Sequence, residues 1–140
     1  MNTAGDCIRQ AAAIPVRDGA VCLVTSRNGK RWIIPKGSEE PGMTSGETAL
    51  KEAWEEAGLV GTLEREPAGS YFYEKAGNRY LVTVFLMHVT EAIPYWPEQD
   101  WRIRRWVAPQ QAVAWLKEPG LGRILDKALA IEPVFQVTTG

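Results

Sequence analysis

The sequence predicts an α+β fold in which a mixed β-sheet is sandwiched between helices, and two observations carry that prediction. Strand-like segments precede and follow one well-bounded helix, and two further helical segments come after them. The first helix carries a stripe of small apolar residues, Ala49, Ala53 and Ala57 with Leu50, which lets a helix lie close against a sheet.

Ile8 to Val16 and Ala20 to Ser26 are rich in apolar and β-branched residues and read as two strands joined by a hairpin turn at Arg17-Asp18-Gly19. Asn28-Gly29 makes a second turn. Trp32-Ile33-Ile34 is a short strand halted by Pro35, and Lys36 to Met43, with two glycines and a proline, reads as a loop. The helix begins at Thr44, which has the form of a capping box with Glu47, and Gly58 is placed to end it as the C′ residue. Gly46 weakens the first turn. Leu63 to Tyr73 and Tyr80 to Val89 read as two long strands joined near Gly77-Asn78, and Trp101 to Val107 as another. Pro109 opens a short helix through Trp115, Leu121 to Ile131 forms a further one, and the residues after Glu132 carry no clear pattern.

At 140 residues the chain fits one domain, 1–140, with its core over about 8–131. Sixteen basic and seventeen acidic residues nearly cancel, so extended nucleic-acid contact is not expected and anions must be attracted by local clusters. No apolar run approaches the roughly 20 residues that span a bilayer, so no membrane partner is expected. Met1 to Asp6 shows neither the basic nor the apolar region of a secretory signal. Cys7 and Cys22, without metal-ligand spacing, read as reduced apolar residues rather than a disulfide. These features together predict a cytoplasmic protein.

The stretch Gly37 to Leu59, GSEEPGMTSGETALKEAWEEAGL, is where chemistry is expected. On a helix Glu52 lies three residues from Glu55 and four from Glu56, so all three carboxylates project from one side. Like charges at that spacing destabilise a helix by roughly 0.2–0.5 kcal/mol per pair, and Lys51 offers the main basic compensation. A hard divalent cation reverses the sign of the interaction, because carboxylate oxygens are its preferred ligands. Three glutamates alone read rather as a solvated acidic face, as on many surface helices. What favours a site is the Gly-rich loop leading into the helix, whose open backbone can approach phosphate or offer a carbonyl ligand.

In these residues the chain resembles the Nudix hydrolase family, whose signature has the form G-x5-E-x7-R-E-U-x-E-E-x-G-U, with U a bulky apolar residue. Gly37, Glu52, Glu55, Glu56, Gly58 and Leu59 fall at matching positions over 23 residues. Ala53 occupies the first U position, Met43 stands where the family has its first glutamate, and Lys51 where it has arginine. Trp32-Ile33-Ile34-Pro35-Lys36-Gly37, the segment Glu52 to Gly58, and Trp96-Pro97-Glu98 followed by Arg102, Arg104, Arg105 and Trp106 are similar to the diphosphoinositol-polyphosphate phosphohydrolase-like branch.

The resemblance implies a Nudix-like α/β/α fold and Mg²⁺- or Mn²⁺-dependent attack of water on a phosphorus within a diphosphate. It implies Glu52, Glu55 and Glu56 as metal ligands, with the Gly37 carbonyl as a further one, and a carboxylate as proton acceptor: Glu55, Glu56 or a loop residue. Glu98 is the loop candidate, weighed against its neighbour Asp100. The two departures from the signature are expected to be linked. Losing the first glutamate relaxes the demand for arginine, and Lys51 can then sit beside Glu52 as a point charge.

Arg9, Lys36, Arg79, Arg102, Arg104 and Arg105 are candidates for holding substrate phosphates. Arg102 and Arg104 alternate with Ile103 and Arg105 and are expected to share the outer face of their strand. Trp32, Trp54, Trp106 and Trp115 read as core, Trp96 and Trp101 as residues able to meet a nucleobase, and His88 as structural. The expected partner is a phosphorylated small molecule: nucleoside-diphosphate-linked, a dinucleoside polyphosphate or an inositol pyrophosphate. The alternatives are pyrophosphate removal from RNA 5′ ends, which the near-neutral charge makes less attractive, and a catalytically silent ligand-sensing module, suggested by Met43.

Overall fold

Successive residues of one strand enter two different cores, and this divides the molecule into layers. In β1 (Ile8–Arg17), Ala12 and Ile14 belong to one apolar cluster and Ala11 and Ala13 to another, as alternation across a pleated strand requires. The computed structural model describes residues 7–130.

β1 turns into β2 (Ala20–Thr25) through Asp18-Gly19, both with positive φ, as in a two-residue hairpin. The β1–β2 pairing covers Val16↔Val21 and Arg17↔Ala20; further back along β1, at Gln10 to Ala12, its antiparallel partner is β4 (Lys36–Ser38). On its other side β1 runs parallel to β7 (Asn78–Ala92), from Ile8↔Tyr80 to Val16↔His88. β2 also carries β3 (Trp32–Ile33) and β8 (Arg104–Val107), while β7 carries β5 (Leu59–Leu63) and β6 (Gly69–Lys75). These strands form one mixed sheet. Helix α1 (Ser45–Ala57) covers the face of Ala11 and Ala13, where Ala49, Ala53 and Ala57 are buried against the strands. Helices α2 (Pro109–Trp115) and α3 (Leu121–Ala128) cover the other face. The α/β/α sandwich is the one the element order predicts.

Five boundaries differ from expectation. The segment after Pro35 is not loop throughout, since Lys36–Ser38 pairs with β1. Leu63 to Tyr73 is not one strand. β5 starts directly after Gly58, and the chain leaves the ladder around Pro67, which has no N–H to donate, before β6 begins. The turn into β7 is Ala76-Gly77, both at positive φ. Trp101 lies in a turn closed by its N–H to the Glu98 carbonyl (3.2 Å), so β8 begins only at Arg104. The last helix ends at Ala128, and Ile131 lies outside the described residues. Among the described residues no helix is long and apolar enough to cross a membrane.

Candidate active site

Helix α1 sets the frame of the site. Its first turn is closed by its own side chains: Thr44 Oγ1 accepts from the Glu47 N–H (3.1 Å), and Glu47 Oε1 accepts from the Thr44 N–H (2.9 Å). The last turn ends on Gly58, at φ +66°, whose N–H returns to the Trp54 carbonyl. The carbonyls of Glu55, Glu56 and Ala57 have no partner within the helix, as at every helix C-terminus. They accept instead from the Glu98 N–H (3.1 Å), Trp96 Nε1 (3.0 Å) and Arg104 Nη1 (2.7 Å). The Arg104 guanidinium lies 4.2 Å from the Trp96 ring centroid. A Cβ on Gly58 would fall 2.8 Å from Trp96 Cβ and 2.9 Å from Arg104 Nη1. Glycine is therefore required here for space as well as for φ.

This clasp brings Glu98 beside the helix carboxylates. Glu52 lies against Gly37, where any Cβ would collide with its carboxyl group. Glu56 is buried: its Oε1 accepts the Lys36 N–H (3.2 Å), and Arg102 Nη2 stands 3.6 Å from its Oε2. Burial pushes the Glu56 carboxyl up to about 9, against the Arg102 charge, and the hydrogen bond and charge of Glu52 push the same way. Glu52 is also raised, by burial first, while repulsion from Glu55 and Glu98 adds to it and Lys51 opposes it. Glu55 is half-exposed and pairs with Lys51 Nζ at 3.0 Å; the same ammonium is 3.9 Å from both Glu52 and Glu40. Lys51 is thus the point charge beside Glu52 that its replacement of arginine suggests, and Glu40 supplies it with a loop carboxylate.

Glu52, Glu55, Glu56 and Glu98 could hold a hard cation through oxygen alone, with the Gly37 carbonyl as neighbour. Four carboxylates face two cations, Lys51 and Arg102, and burial with mutual repulsion raises both Glu52 and Glu56; two residues beyond Gly37 the Glu39 Oε2 is buried without a hydrogen-bond partner. Both observations fit a hard divalent cation. The carboxylates are gathered but not collapsed. Among the described residues no three His, Cys, Asp or Glu side chains stand at ligating spacing; Lys51 pairs with Glu55 and Arg102 with Glu98.

The cationic candidates divide. Lys36 sends its side chain to the opposite sheet face, 4.8 Å from the Tyr73 ring centroid and 3.5 Å from Glu118, which also accepts the Tyr71 hydroxyl (3.0 Å). An open cleft of about 390 Å³ there is lined by Arg31, Lys36, Tyr73, Lys75 and Glu118 among others. Arg9 is exposed, two residues from Ala11, the strand partner of Gly37. Arg79 lies over Phe72 (4.3 Å) and Arg105 over Trp32 (5.7 Å). Arg102 and Arg104 do not share an outer strand face. Arg102 precedes β8 and is 8% exposed, Arg104 is half-buried, and both guanidinium groups bond to protein.

Trp54 is 39% exposed on the outer side of α1 rather than in the core. Trp32 and Trp115 pack together at 5.4 Å, and Trp106 is half-buried against the α1-side core. Trp101 is exposed, with Arg27 over its ring. His88 faces outward and pairs with Glu64 at 2.6 Å. Cys22 is buried and Cys7 half-buried, both as free thiols, and burial pushes Cys22 up to about 12. A cavity of about 510 Å³ near the β1–β2 turn is lined by Arg17, Asp18, Leu86 and His88 among others and contains none of the clustered carboxylates.

Sequence reasoning missed the parts of Thr25, whose carbonyl accepts from Arg102 Nη1 (2.8 Å), of Arg31, which lines the cleft beside Lys36, and of Glu40, which faces Lys51. The signal that was present is the four-residue spacing of Glu98 and Arg102, opposite charges that a tight turn can bring together.

Residues 8–128 match the NUDIX domain family. The chain is 36% identical over 94 residues to Nudix hydrolase 4 of Arabidopsis thaliana, covering 66% of this chain and 45% of that protein. It is 33% identical over 100 residues to diphosphoinositol polyphosphate phosphohydrolase 3-beta of Homo sapiens, covering 69% of this chain and 60% of that one. The matches to these two relatives span between 45% and 60% of their length. In fold it is similar to the crystal structure of C. elegans Ap4A hydrolase, with a TM-score of 0.73 at 20% identity over 89% of this chain and 98% of that one.

Proposed function

The chain belongs to the Nudix hydrolase family, and we propose that within it this protein is a Mg²⁺- or Mn²⁺-dependent pyrophosphohydrolase that cleaves phosphoanhydride bonds in phosphorylated small molecules. The observation that carries this reading is the meeting of Glu52 and Glu56, from one helix, with Glu98, from a loop some 40 residues on, beside a glycine whose missing side chain leaves room for a carboxylate.

In this reading Glu52, Glu55, Glu56 and the Gly37 carbonyl hold the cation. When bound, the cation neutralises diphosphate oxygens and makes the attacking water more acidic. The water oxygen bonds to phosphorus as the bridging P–O bond breaks, and the water proton passes to Glu55, Glu56 or Glu98. Lys36, Arg9 and Arg79 remain available to distal phosphates, Lys36 by leaving Glu118. The substrate class is a dinucleoside polyphosphate, a nucleoside-diphosphate-linked compound or an inositol pyrophosphate; the names of the human and C. elegans relatives support testing the first and last. Near-neutral charge speaks against extended nucleic acid as partner. The free thiols of Cys7 and Cys22 support a reducing compartment such as the cytoplasm.

The test is hydrolysis, read by chromatography of the products, of diadenosine tetraphosphate (to two mononucleotides), a nucleoside-diphosphate sugar (to a nucleoside monophosphate and a sugar phosphate) and an inositol pyrophosphate (to inorganic phosphate), with Mg²⁺ or Mn²⁺. We expect turnover of at least one, abolished by EDTA, and a fall of more than roughly 100-fold in Glu56→Gln, beyond the loss typical of a group that only supports a ligand. No turnover of any of the three by a wild-type protein that still binds Mn²⁺ would instead favour a ligand-sensing module.

A further inference from the structure

We propose that Arg102 is a positioning residue: it fixes the Glu98 carboxylate over the helix carboxylates and has no part in gripping substrate phosphate. The proposal rests on the hydrolase reading above only for the importance of Glu98; its geometry stands apart from it.

A guanidinium presents five N–H donors in a rigid fork and reads anions well only when an edge of that fork is free. In Arg102 each nitrogen is engaged by the protein. Nε donates to Glu98 Oε1 at 3.0 Å, Nη2 stands 2.8 Å from that oxygen and 3.6 Å from Glu56 Oε2, and Nη1 donates to the Thr25 carbonyl at 2.8 Å. The side chain is 6% exposed. A phosphate could be held only by breaking contacts that are already charge-assisted or buried.

The anchoring is two-sided. Thr25 ends β2 and fixes the chain next to Arg102, since its N–H donates to the Ile103 carbonyl (3.0 Å) and its Oγ1 accepts the Ile103 N–H (2.9 Å). Arg102 is thereby tied to the sheet. Glu98 hangs from it by the side chain and from α1 by the backbone, through its N–H to the Glu55 carbonyl. The turn between them is itself closed, with Gln99 Oε1 accepting the Trp96 N–H (2.6 Å) and the Trp101 N–H reaching the Glu98 carbonyl. Both contacts from Arg102 to Glu98 fall on Oε1, so the carboxylate is held by one oxygen while the other stays available for work. A lysine at this place would keep the charge and lose the fork.

The experiment is a double-mutant cycle of Arg102→Met and Glu98→Gln, with Arg102→Lys as the charge-keeping variant. It is read by diadenosine tetraphosphate kinetics in Mn²⁺ and by amide hydrogen exchange of the Mn²⁺-free protein. We expect Arg102→Met to lower kcat about tenfold or more with KM within about twofold, no restoration by Arg102→Lys, and no more than about a threefold further loss in the double variant relative to Glu98→Gln alone. We also expect exchange at the Glu98 amide to quicken about tenfold or more, while Val82 and Val84 in the sheet stay protected. Exchange does not depend on turnover: if wild type hydrolyses nothing, the hydrolase reading fails and exchange still decides this one. Unchanged exchange at Glu98, losses in kcat that multiply across the cycle, or a KM rise that Arg102→Lys reverses would each overturn the proposal, the last by making Arg102 a phosphate ligand.

Discussion

At its N-terminus helix α1 is closed by two residues of its own first turn, Thr44 and Glu47. At its C-terminus the open carbonyls are closed by Trp96, Glu98 and Arg104, with some 40 residues of chain in between. The first closure is local, so it can change without moving anything else. The second is shared with the segment that carries Glu98 and Arg102, so the end of the helix and the arrangement of the carboxylates are one structure.

The comparison breaks most readily at Gly58. Gly58→Val forces a β-branched residue to positive φ and drives its side chain into Trp96 and Arg104. We expect a loss of about 3–5 kcal/mol, the sum of a strained backbone and an overpacked contact, measured by urea denaturation. Residual folded protein should have lost activity as well, because the displaced residues carry Glu98.

A smaller effect separates the two ends by pH. Glu56 lies at the remote-closed end and its carboxyl sits near 9, above its ordinary value. A carboxyl raised in this way binds its proton more tightly folded than unfolded. Its contribution to stability is therefore complete below the unfolded value and is lost as pH rises towards 9. In EDTA, Tm should fall between about pH 5 and pH 9, and Glu56→Gln should flatten that slope; scanning calorimetry checks both. Added Mn²⁺ should restore Tm at the alkaline side and release protons into weak buffer.

The smallest effect belongs to the local end. Thr44→Ala removes the side-chain acceptor of the Glu47 N–H and should cost about 1 kcal/mol, with kcat of the folded protein unchanged. A fall in kcat in Thr44→Ala comparable to that of Arg102→Met would show that the two ends are not independent after all.

What could be read without coordinates follows the same division. The bounds of α1 were legible because Thr44, Glu47 and Gly58 act on their immediate neighbours, and the small-residue stripe of Ala49, Ala53 and Ala57 reports a close helix–sheet approach. The Asp18-Gly19 hairpin was legible for the same reason. The three-residue strand β4 was not: it has no periodicity to detect and exists because β1 offers it a partner. The parallel pairing of β1 with β7 joins residues about 70 apart in the chain, and no local pattern encodes it. For the site, Glu52, Glu55 and Glu56 announce themselves by helical spacing. The burial of Arg102 does not, because alternation in a strand predicts an outward side chain and the residue lies just before the strand begins.

β4 itself has a further consequence. Within three residues it turns Lys36 towards Tyr73 and Glu118 and leaves bare backbone at Gly37 for Glu52. Because neighbouring positions of a strand look opposite ways, sliding this segment by a single position would exchange the two. A bulky ammonium would then be pressed into the space reserved for a carboxylate, and the cleft on the far side would lose its central cation. One inserted or deleted residue between Pro35 and Ser38 should therefore act as an all-or-nothing lesion on both sides of the sheet at once.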